Sequence, residues 1–265
     1  MPAWLIIVIL GIVEGITEFL PVSSTGHLLI AERWLHSHQT DLFNIVIQSG
    51  AVLAVLPLFP ERLRQFFFKW REKATQDYLA KILVAFVITG IGGYILEKRG
   101  FKLPEELKPV AVALLVGGIG FVVIEAWLRG RTLSDQVTWA MALSVGFGQL
   151  LAAAFPGTSR SGATILLCLL LGLNRPAATE YCFLVGIPTM LAAGGWKIFK
   201  ELRHPLPGEA PEHWGLVFLG FVVSAIVSFI AVKWLLGYIR THTFVIFGWY
   251  RIALAALIGV LLLMS

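Results

Sequence analysis

Residues 11–27 read Gly11-Ile-Val-Glu-Gly-Ile-Thr-Glu-Phe-Leu-Pro-Val-Ser-Ser-Thr-Gly-His27, and residues 146–164 read Gly146-Phe-Gly-Gln-Leu-Leu-Ala-Ala-Ala-Phe-Pro-Gly-Thr-Ser-Arg-Ser-Gly-Ala-Thr164. Each segment ends an apolar stretch at a proline and continues with small and hydroxyl residues. The two prolines are 135 residues apart, about half of the 265-residue chain, and the opening glycines have the same separation. The segments therefore predict two related halves, at approximately 1–130 and 136–265, within one domain that covers 1–265.

The composition indicates a membrane protein. Hydrophobic residues make up 57% of the chain and charged residues only 14%, whereas ordinary soluble domains carry about 25% charged residues. The mean hydropathy is +0.81. These values exclude a soluble enzyme, a soluble binding module and a disordered chain. The net charge of +5 comes from Lys and Arg in short connectors, which is typical of the flanks of membrane helices, so we expect no nucleic-acid partner.

Six stretches are long and apolar enough for the roughly 20 residues that a bilayer-spanning helix needs. They cover about 42–60, 79–97, 109–128, 177–197, 214–236 and 244–264. Four shorter apolar stretches, at 5–20, 22–35, 137–155 and 161–173, form two pairs that are each divided by one of the prolines. Non-helical backbone at membrane depth needs cover from protein or a water-filled cavity, so each pair is interpreted as a helix that enters the membrane, breaks and returns beside a cavity.

The predicted fold class is therefore an all-α integral membrane protein with six transmembrane helices plus two re-entrant helix pairs in an inverted-topology repeat. With three spans per half, the second half enters the bilayer from the opposite face, and paired interrupted helices in such repeats mark the binding site. The connector 61–78 carries five Lys and Arg residues, which favours the cytoplasm. This assignment puts the cavity on the outer side, although the connector 98–108 is also basic.

Two carboxylates lie where charge is costly. Glu14 and Glu18 are four residues apart, so they share one face of the first short helix about one turn apart. A charge at mid-bilayer depth costs at least about 2.5–3.5 kcal/mol, which makes it a functional candidate. The pair could act as general bases, or it could hold a divalent cation such as Mg²⁺ or Ca²⁺.

Hydroxyl residues and a histidine follow Pro21. Ser23, Ser24 and Thr25 could cap the second short helix. Ser24 and His27 are three residues apart, close enough for a nucleophile and its base, and Glu18 lies one break away. The segment therefore predicts a catalytic set of Ser24, His27 and Glu18. Ser23, Thr25 and Gly26 are expected to bind the substrate beside it.

The segment 156–164 predicts a phosphate site. Its glycines leave backbone N–H groups accessible, a helix N-terminus adds partial positive charge, and Arg160 supplies a planar fork for phosphate oxygens. The residues expected to bind phosphate with it are Thr158, Ser159, Ser161, Gly162 and Thr164. Lesser candidates for supporting roles around the site are Gln48, Gln149, Glu180 and Arg251.

The motifs from Glu14 to His27 and from Pro156 to Thr164 resemble the two signature motifs of the undecaprenyl-pyrophosphate phosphatase family, also called bacitracin-resistance proteins. The resemblance implies a multi-pass hydrolase of the bacterial inner membrane that converts undecaprenyl pyrophosphate to undecaprenyl phosphate plus phosphate. This step recycles the lipid carrier of peptidoglycan synthesis. The family's acidic pair matches Glu14 and Glu18, its serine and histidine match Ser24 and His27, and its phosphate-binding arginine matches Arg160.

Two alternatives stay open from the sequence, one for the function and one for the mechanism, and a third is rejected. A polyprenyl-phosphate transporter or flippase would use the same inverted repeat, but it would need no nucleophile. A structural membrane scaffold does not explain the charges within apolar segments. For a hydrolase, attack by Ser24 on the phosphorus competes with direct attack by water.

The expected partners are the polyprenyl lipid substrate and the membrane lipids. A homodimer is also compatible with the sequence.

Overall fold

The protein is described by a computed structural model over residues 1–100, 107–203 and 213–264. All the elements in these ranges are helices. They are α1 (Ala3–Thr17), α2 (Ser24–Leu35), α3 (Asp41–Val55) with a short 3-10 extension (Leu56–Leu58), α4 (Pro60–Phe68), α5 (Lys73–Lys98), α6 (Leu107–Trp127), α7 (Trp139–Ala154), α8 (Arg160–Leu170), α9 (Arg175–Arg203), α10 (Trp214–Tyr238) and α11 (Val245–Met264).

Six of these helices are long and apolar enough to cross a membrane, which confirms the six predicted spans. The candidate spans are Asp41–Leu58, Lys73–Lys98, Leu107–Trp127, Arg175–Lys200, Trp214–Tyr238 and Val245–Leu263. The main difference lies in α5, which begins six residues before the predicted start at 79. Its first turns are polar, so hydropathy alone does not include them.

The four remaining apolar helices are short, and each pair is separated at its proline. The helix α1 ends at Thr17, and α2 begins at Ser24. The second break lies between Ala154 and Arg160. Proline has no backbone N–H and disfavours a helical conformation in the residue before it, so both breaks contain the predicted prolines. The helices α1 and α8 each end three residues before the predicted ends at 20 and 173. That each pair is re-entrant in a bilayer stays a prediction.

The two halves exchange packing partners. The helix α1 packs against α10 from the second half, and α7 packs against α5 from the first half. The helices approach closely because small residues lie at the crossings: a Cβ added to Gly15 would lie 2.7 Å from the carbonyl oxygen of Ser224, and one added to Gly146 would lie 2.9 Å from the Cβ of Ile88. Further contacts join α6 to α11 and α3 to α9. Each half therefore completes its packing only with the other.

Charged residues at one end of the bundle pair with each other. Arg62 of α4 donates from Nε to Oε1 of Glu180 at 2.6 Å. The buried carboxylate of Glu125 accepts hydrogen bonds from Arg175 and from the backbone N–H of Phe244. The helix α4 lies at this end, and three exposed aromatic side chains follow within or just after it, namely Phe67, Phe68 and Trp70. This end of the protein is built from salt bridges and an amphipathic helix.

Candidate active site

Both breaks end in the same kind of turn. Ser23 and Ser159 are the N-caps of α2 and α8, and their hydroxyls accept from the backbone N–H of Gly26 at 3.3 Å and of Gly162 at 3.1 Å. Both caps have positive φ, 78° for Ser23 and 64° for Ser159, a conformation that costs of order 1–3 kcal/mol and is concentrated at functional sites. The sequence therefore places strained turns at both breaks.

The caps correct the predicted alignment of the halves. Ser23 and Ser159 are 136 residues apart, whereas the prolines are 135 apart, because the second break contains one more residue between proline and cap. The cap structure thus pairs Ser23 with Ser159, whereas the 135-residue separation of the prolines would pair Ser23 with Thr158. As a result, Ser24 and Arg160 are the equivalent first residues of α2 and α8.

A hydrogen-bonded chain connects the two breaks. Ser24 donates from Oγ to Oε2 of Glu18 at 2.5 Å, and Arg160 donates from Nη2 to Oε1 of the same carboxylate at 2.9 Å. The other terminal nitrogen of Arg160 donates to the carbonyl oxygen of Gly186 at 3.0 Å. Glu18 is 6% exposed. A hydroxyl, a carboxylate that accepts its proton and a guanidinium that fixes the carboxylate form the kind of arrangement that can activate a serine nucleophile.

These three side chains line a cavity of about 1410 Å³. Its polar lining near the breaks also includes Ser23, Thr25 and Ser159, and it extends along α5, α7 and α9 past Gly90, Ala153 and Trp196. Residues 39–41 and the pair formed by Glu97 and Lys200 lie on its wall at the end of the bundle opposite α4. The cavity therefore combines a polar base with a largely apolar wall.

His27 makes its hydrogen bonds away from Ser24. Its Nδ1 lies 2.7 Å from the carbonyl oxygen of Ser23, and its Nε2 lies 2.6 Å from the hydroxyl of Tyr250. The imidazole also stacks on the Tyr250 ring, with centroids 5.6 Å apart, and it does not line the cavity. A carbonyl can only accept, so Nδ1 carries a proton and Nε2 accepts from Tyr250. Of the two residues predicted as a base for Ser24, the structure brings Glu18 into hydrogen-bond contact with its hydroxyl, and His27 bonds elsewhere.

Several predicted phosphate ligands hold the turns together instead. The hydroxyl of Ser161 donates to the carbonyl oxygen of Leu20 at 3.2 Å, and that of Thr164 donates to the carbonyl oxygen of Arg160 at 2.8 Å. Ser161, Gly162 and Thr164 are buried, and Gly26, Thr158, Ser161, Gly162 and Thr164 are all absent from the cavity wall. Short hydroxyl side chains at helix starts commonly bond to nearby backbone, and the sequence pattern does not distinguish that use from ligand binding.

Glu14 lies one turn behind Glu18. It is 1% exposed, and its Oε2 has no hydrogen-bond partner among the residues that the structure describes. Glu18 already binds Ser24 and Arg160, and no group of three or more His, Cys, Asp or Glu side chains that could hold a metal occurs in the described part of the chain. The acidic pair beside a guanidinium does not fit a cation site made by protein ligands alone.

The four supporting candidates separate into three locations. Gln48 and Gln149 line the cavity, and Gln149 donates from Nε2 to the hydroxyl of Thr89 at 2.9 Å. Glu180 does not support the site, because it pairs with Arg62 of α4. Arg251 is fully buried, and its hydrogen bonds within the described ranges all go to backbone carbonyls. The sequence interpretation missed Tyr250, Gly186 and Thr89, which carry no motif that could have marked them.

Fold and site together define a multi-pass helical membrane protein with a serine, a carboxylate and an arginine joined in one cavity. The family model described as "Bacitracin resistance protein BacA" matches residues 7–257. The chain belongs to this family.

Curated relatives cover nearly all of the chain. A protein of Rhizobium etli named "Undecaprenyl-diphosphatase" is 54% identical over 251 residues, which make up 94% of this chain and 94% of the relative. Proteins of the same name from Rhizobium johnstonii and Xanthomonas axonopodis pv. citri are 52% and 48% identical, again over 94% of this chain and over 94% and 93% of the relatives. These relatives are phosphatases by name, which favours hydrolysis over transport.

Proposed function

We propose that the protein hydrolyses undecaprenyl diphosphate to undecaprenyl phosphate and inorganic phosphate, with Ser24 as the nucleophile. Membership of the BacA family and the name of the relatives support the reaction. The observation that carries the mechanism is the chain from Ser24 through Glu18 to Arg160 at the base of the cavity. In this role the protein recycles a lipid carrier of cell-wall synthesis and confers resistance to bacitracin.

Two helix N-termini supply the phosphate site. The first turns of α2 and α8 present backbone N–H groups that have no intrahelical acceptor, and the N-terminal end of a helix favours anions. Ser24 and Arg160 are the first residues of these helices, and both line the cavity. A diphosphate between the two turns would have one phosphoryl group near each. Thr25 and Ser159 add side-chain hydroxyls on the same wall.

The proposed reaction has two steps. In the first step the Ser24 oxygen bonds to the terminal phosphorus, its proton passes to Glu18, and the bond to the bridging oxygen breaks, releasing undecaprenyl phosphate. In the second step water bonds to the phosphorus of phosphoserine, and the Ser24 oxygen leaves with the proton held by Glu18. Both protons of the attacking water remain with the released phosphate, which leaves as dihydrogen phosphate while Glu18 returns to the carboxylate. Arg160 and the amides of the two turns stabilise the charge on the phosphoryl oxygens in both steps.

Glu14 is proposed to act through Glu18. Glu14 is buried one turn from Glu18, behind the carboxylate that binds Ser24 and Arg160. A divalent cation is proposed to enter with the diphosphate, whose oxygens Mg²⁺ prefers, because Glu18 already binds Ser24 and Arg160. No step of the proposed reaction is assigned to it.

The shape of the cavity suits a lipid substrate. Its polar base could receive the diphosphate, and the small and apolar residues of α5, α7 and α9 could contact the polyprenyl chain. The basic residues of α4 and its flanks favour the cytoplasm, and the cavity extends toward the opposite end of the bundle. We therefore place the protein in the bacterial inner membrane with its cavity on the outer side. A homodimer and the inverted relation of the two halves stay predictions.

Orientation is tested by labelling. Cysteines replacing His38 and Arg71, both exposed and at opposite ends of the bundle, are treated in intact cells with a membrane-impermeant thiol reagent. We expect reaction at 38 and none at 71. The two native cysteines, Cys168 and Cys182, are buried and give a low background. The reverse pattern would place the cavity on the cytoplasmic side.

The activity is tested by measuring phosphate released from undecaprenyl diphosphate by the purified protein, with Ser24→Ala as the inactive control. We expect release by the wild type and nearly none by the variant. Retained binding of the lipid without release by the wild type would reject the hydrolase and favour the transporter.

A further inference from the structure

We propose that Arg251 is a positioning residue that holds the two break turns in register and directs the backbone N–H of Ser159 into the active-site cavity. The inference rests on the proposed function, because the N–H would serve as a donor to the phosphoryl group. The guanidinium itself is fully buried and does not line the cavity, so it acts without touching substrate.

Arg251 bonds to both breaks at once. From the last span, its Nη1 donates to the carbonyl oxygen of Pro21 in the first break at 3.2 Å. Its Nη2 donates to the carbonyl oxygens of Gly157 at 3.2 Å and Thr158 at 2.9 Å in the second break. The same fork also reaches carbonyls of α6 at Ala113 and Leu114. One side chain thus joins the two turns to a spanning helix.

The bond to the Thr158 carbonyl decides the direction of the next amide. In a trans peptide the C=O of one residue and the N–H of the next point in opposite directions, and no cis peptide occurs in the described chain. The Thr158 carbonyl points at Arg251, behind the turn, so the N–H of Ser159 points to the other side. Ser159 lies on the cavity wall, and its N–H has no acceptor within the described ranges. It is therefore a free donor that faces the cavity.

The surroundings of Arg251 are shaped for it. A Cβ added to Gly117 would lie 2.3 Å from Nη2, and one added to Gly162 would lie 3.0 Å from Nη1. No carboxylate pairs with Arg251 among the described residues, in contrast to Arg160, Arg175 and Arg62. A buried cation held only by carbonyls leaves positive charge behind both turns. That charge favours the binding of an anion in front of them.

The test uses Arg251→Lys with Arg175→Lys as the matched control. Lysine keeps the charge but cannot bond to several separate carbonyls with a planar fork. Arg175 also binds a buried group, the carboxylate of Glu125, but this pair lies at the end of the bundle opposite the cavity. Both variants are purified, and kcat and KM for undecaprenyl diphosphate are measured per folded molecule. Hydrogen exchange is followed by mass spectrometry in peptides that cover 18–24 and 155–162.

We expect Arg251→Lys to lower kcat by about 10²-fold, a loss that a misplacement of about 1 Å can cause. The change in KM should be smaller, because the donor acts most on the charge of the transition state. Exchange should become faster in both break peptides and stay unchanged elsewhere. Arg175→Lys should leave kcat and both peptides close to the wild type, even if its melting temperature falls.

Wild-type kcat per folded molecule in Arg251→Lys, or unchanged exchange at the breaks, would overturn the proposal. Arg251→Met adds a second variant without the charge, and it should show the same faster exchange. The exchange measurements do not depend on turnover. Absence of phosphate release by the wild type would reject the proposed function, whereas the exchange result would still decide whether Arg251 holds the turns.

Discussion

Replacing Glu18 with glutamine separates the base from its hydrogen-bonding role. The carboxylate accepts from Ser24 at 2.5 Å and from Arg160 at 2.9 Å, one bond on each oxygen. Glutamine has one acceptor oxygen and one NH₂ group. If its oxygen stays with Arg160, the NH₂ group faces Ser24, whose hydroxyl then has to accept a hydrogen bond and has no base for its proton.

The size of the effect follows from that lost proton acceptor. General base catalysis contributes typically 10²–10⁴-fold, which corresponds to about 2.7–5.4 kcal/mol at 1.36 kcal/mol per tenfold. We expect kcat of Glu18→Gln to fall by that factor. Glu18→Asp keeps the charge but withdraws it by one methylene, so its kcat should fall less than that of the glutamine variant.

The assay is single-turnover release of phosphate from undecaprenyl diphosphate in detergent, with each variant scaled to its folded fraction. Glu32→Gln is the matched control, because Glu32 is 5% exposed, accepts from Asn44 and does not line the cavity. Its kcat should stay close to the wild type. A loss of less than about tenfold in Glu18→Gln, below the range of general base catalysis, would refute the assignment of Glu18 as the base.

Three further substitutions test the other parts of the site. Arg160→Lys should keep the fold, but kcat should fall by about 10²-fold or more. One ammonium group cannot bond to Glu18 and Gly186 and also present a planar fork to phosphate. A wild-type kcat would mean that Arg160 only anchors α8. Tyr250→Phe removes the hydroxyl that bonds to Nε2 of His27. Because the proposed base is Glu18, kcat should fall by less than about tenfold. A loss in the range expected for a missing base, about 10²-fold or more, would assign that role to His27 instead. Glu14→Gln should lower kcat but leave the Mg²⁺ concentration for half-maximal activity unchanged, because the cation enters with the substrate. A tenfold shift in that Mg²⁺ concentration, equal to about 1.4 kcal/mol of binding free energy, would indicate that Glu14 binds the cation.

The sequence predicted the spans and the breaks because both depend on local properties. Hydropathy over about 20 residues finds the six long helices, and Pro21 and Pro156 end helices wherever they occur in apolar segments. Glu18, Ser24 and Arg160 were also found, since charge and hydroxyl groups in such segments are unusual. Their meeting at one carboxylate was implied by the two motifs but needed the fold to be observed.

The partners of His27 and Arg251 could not be predicted in the same way. Tyr250 lies 223 residues from His27, and Pro21 lies 230 residues from Arg251. These contacts arise from the packing of α11 against α6 and the breaks, and no local pattern encodes them. The bonds of the Ser161 and Thr164 hydroxyls were missed for the opposite reason, because nearby backbone carbonyls accept from them within the breaks.

The central claim is that Ser24, activated by Glu18, forms a covalent phosphoserine. Rapid acid quench of the wild type during turnover of undecaprenyl diphosphate, followed by peptide mass spectrometry, tests it most directly. The account predicts phosphate on Ser24 at early times, none on Ser24 in Glu18→Gln, and nearly no turnover in Ser24→Ala. If no adduct is trapped and Ser24→Ala retains about 10⁻²–10⁻³ of the wild-type rate, the loss expected for one hydrogen-bond donor, water attacks the phosphorus directly and the covalent route is wrong.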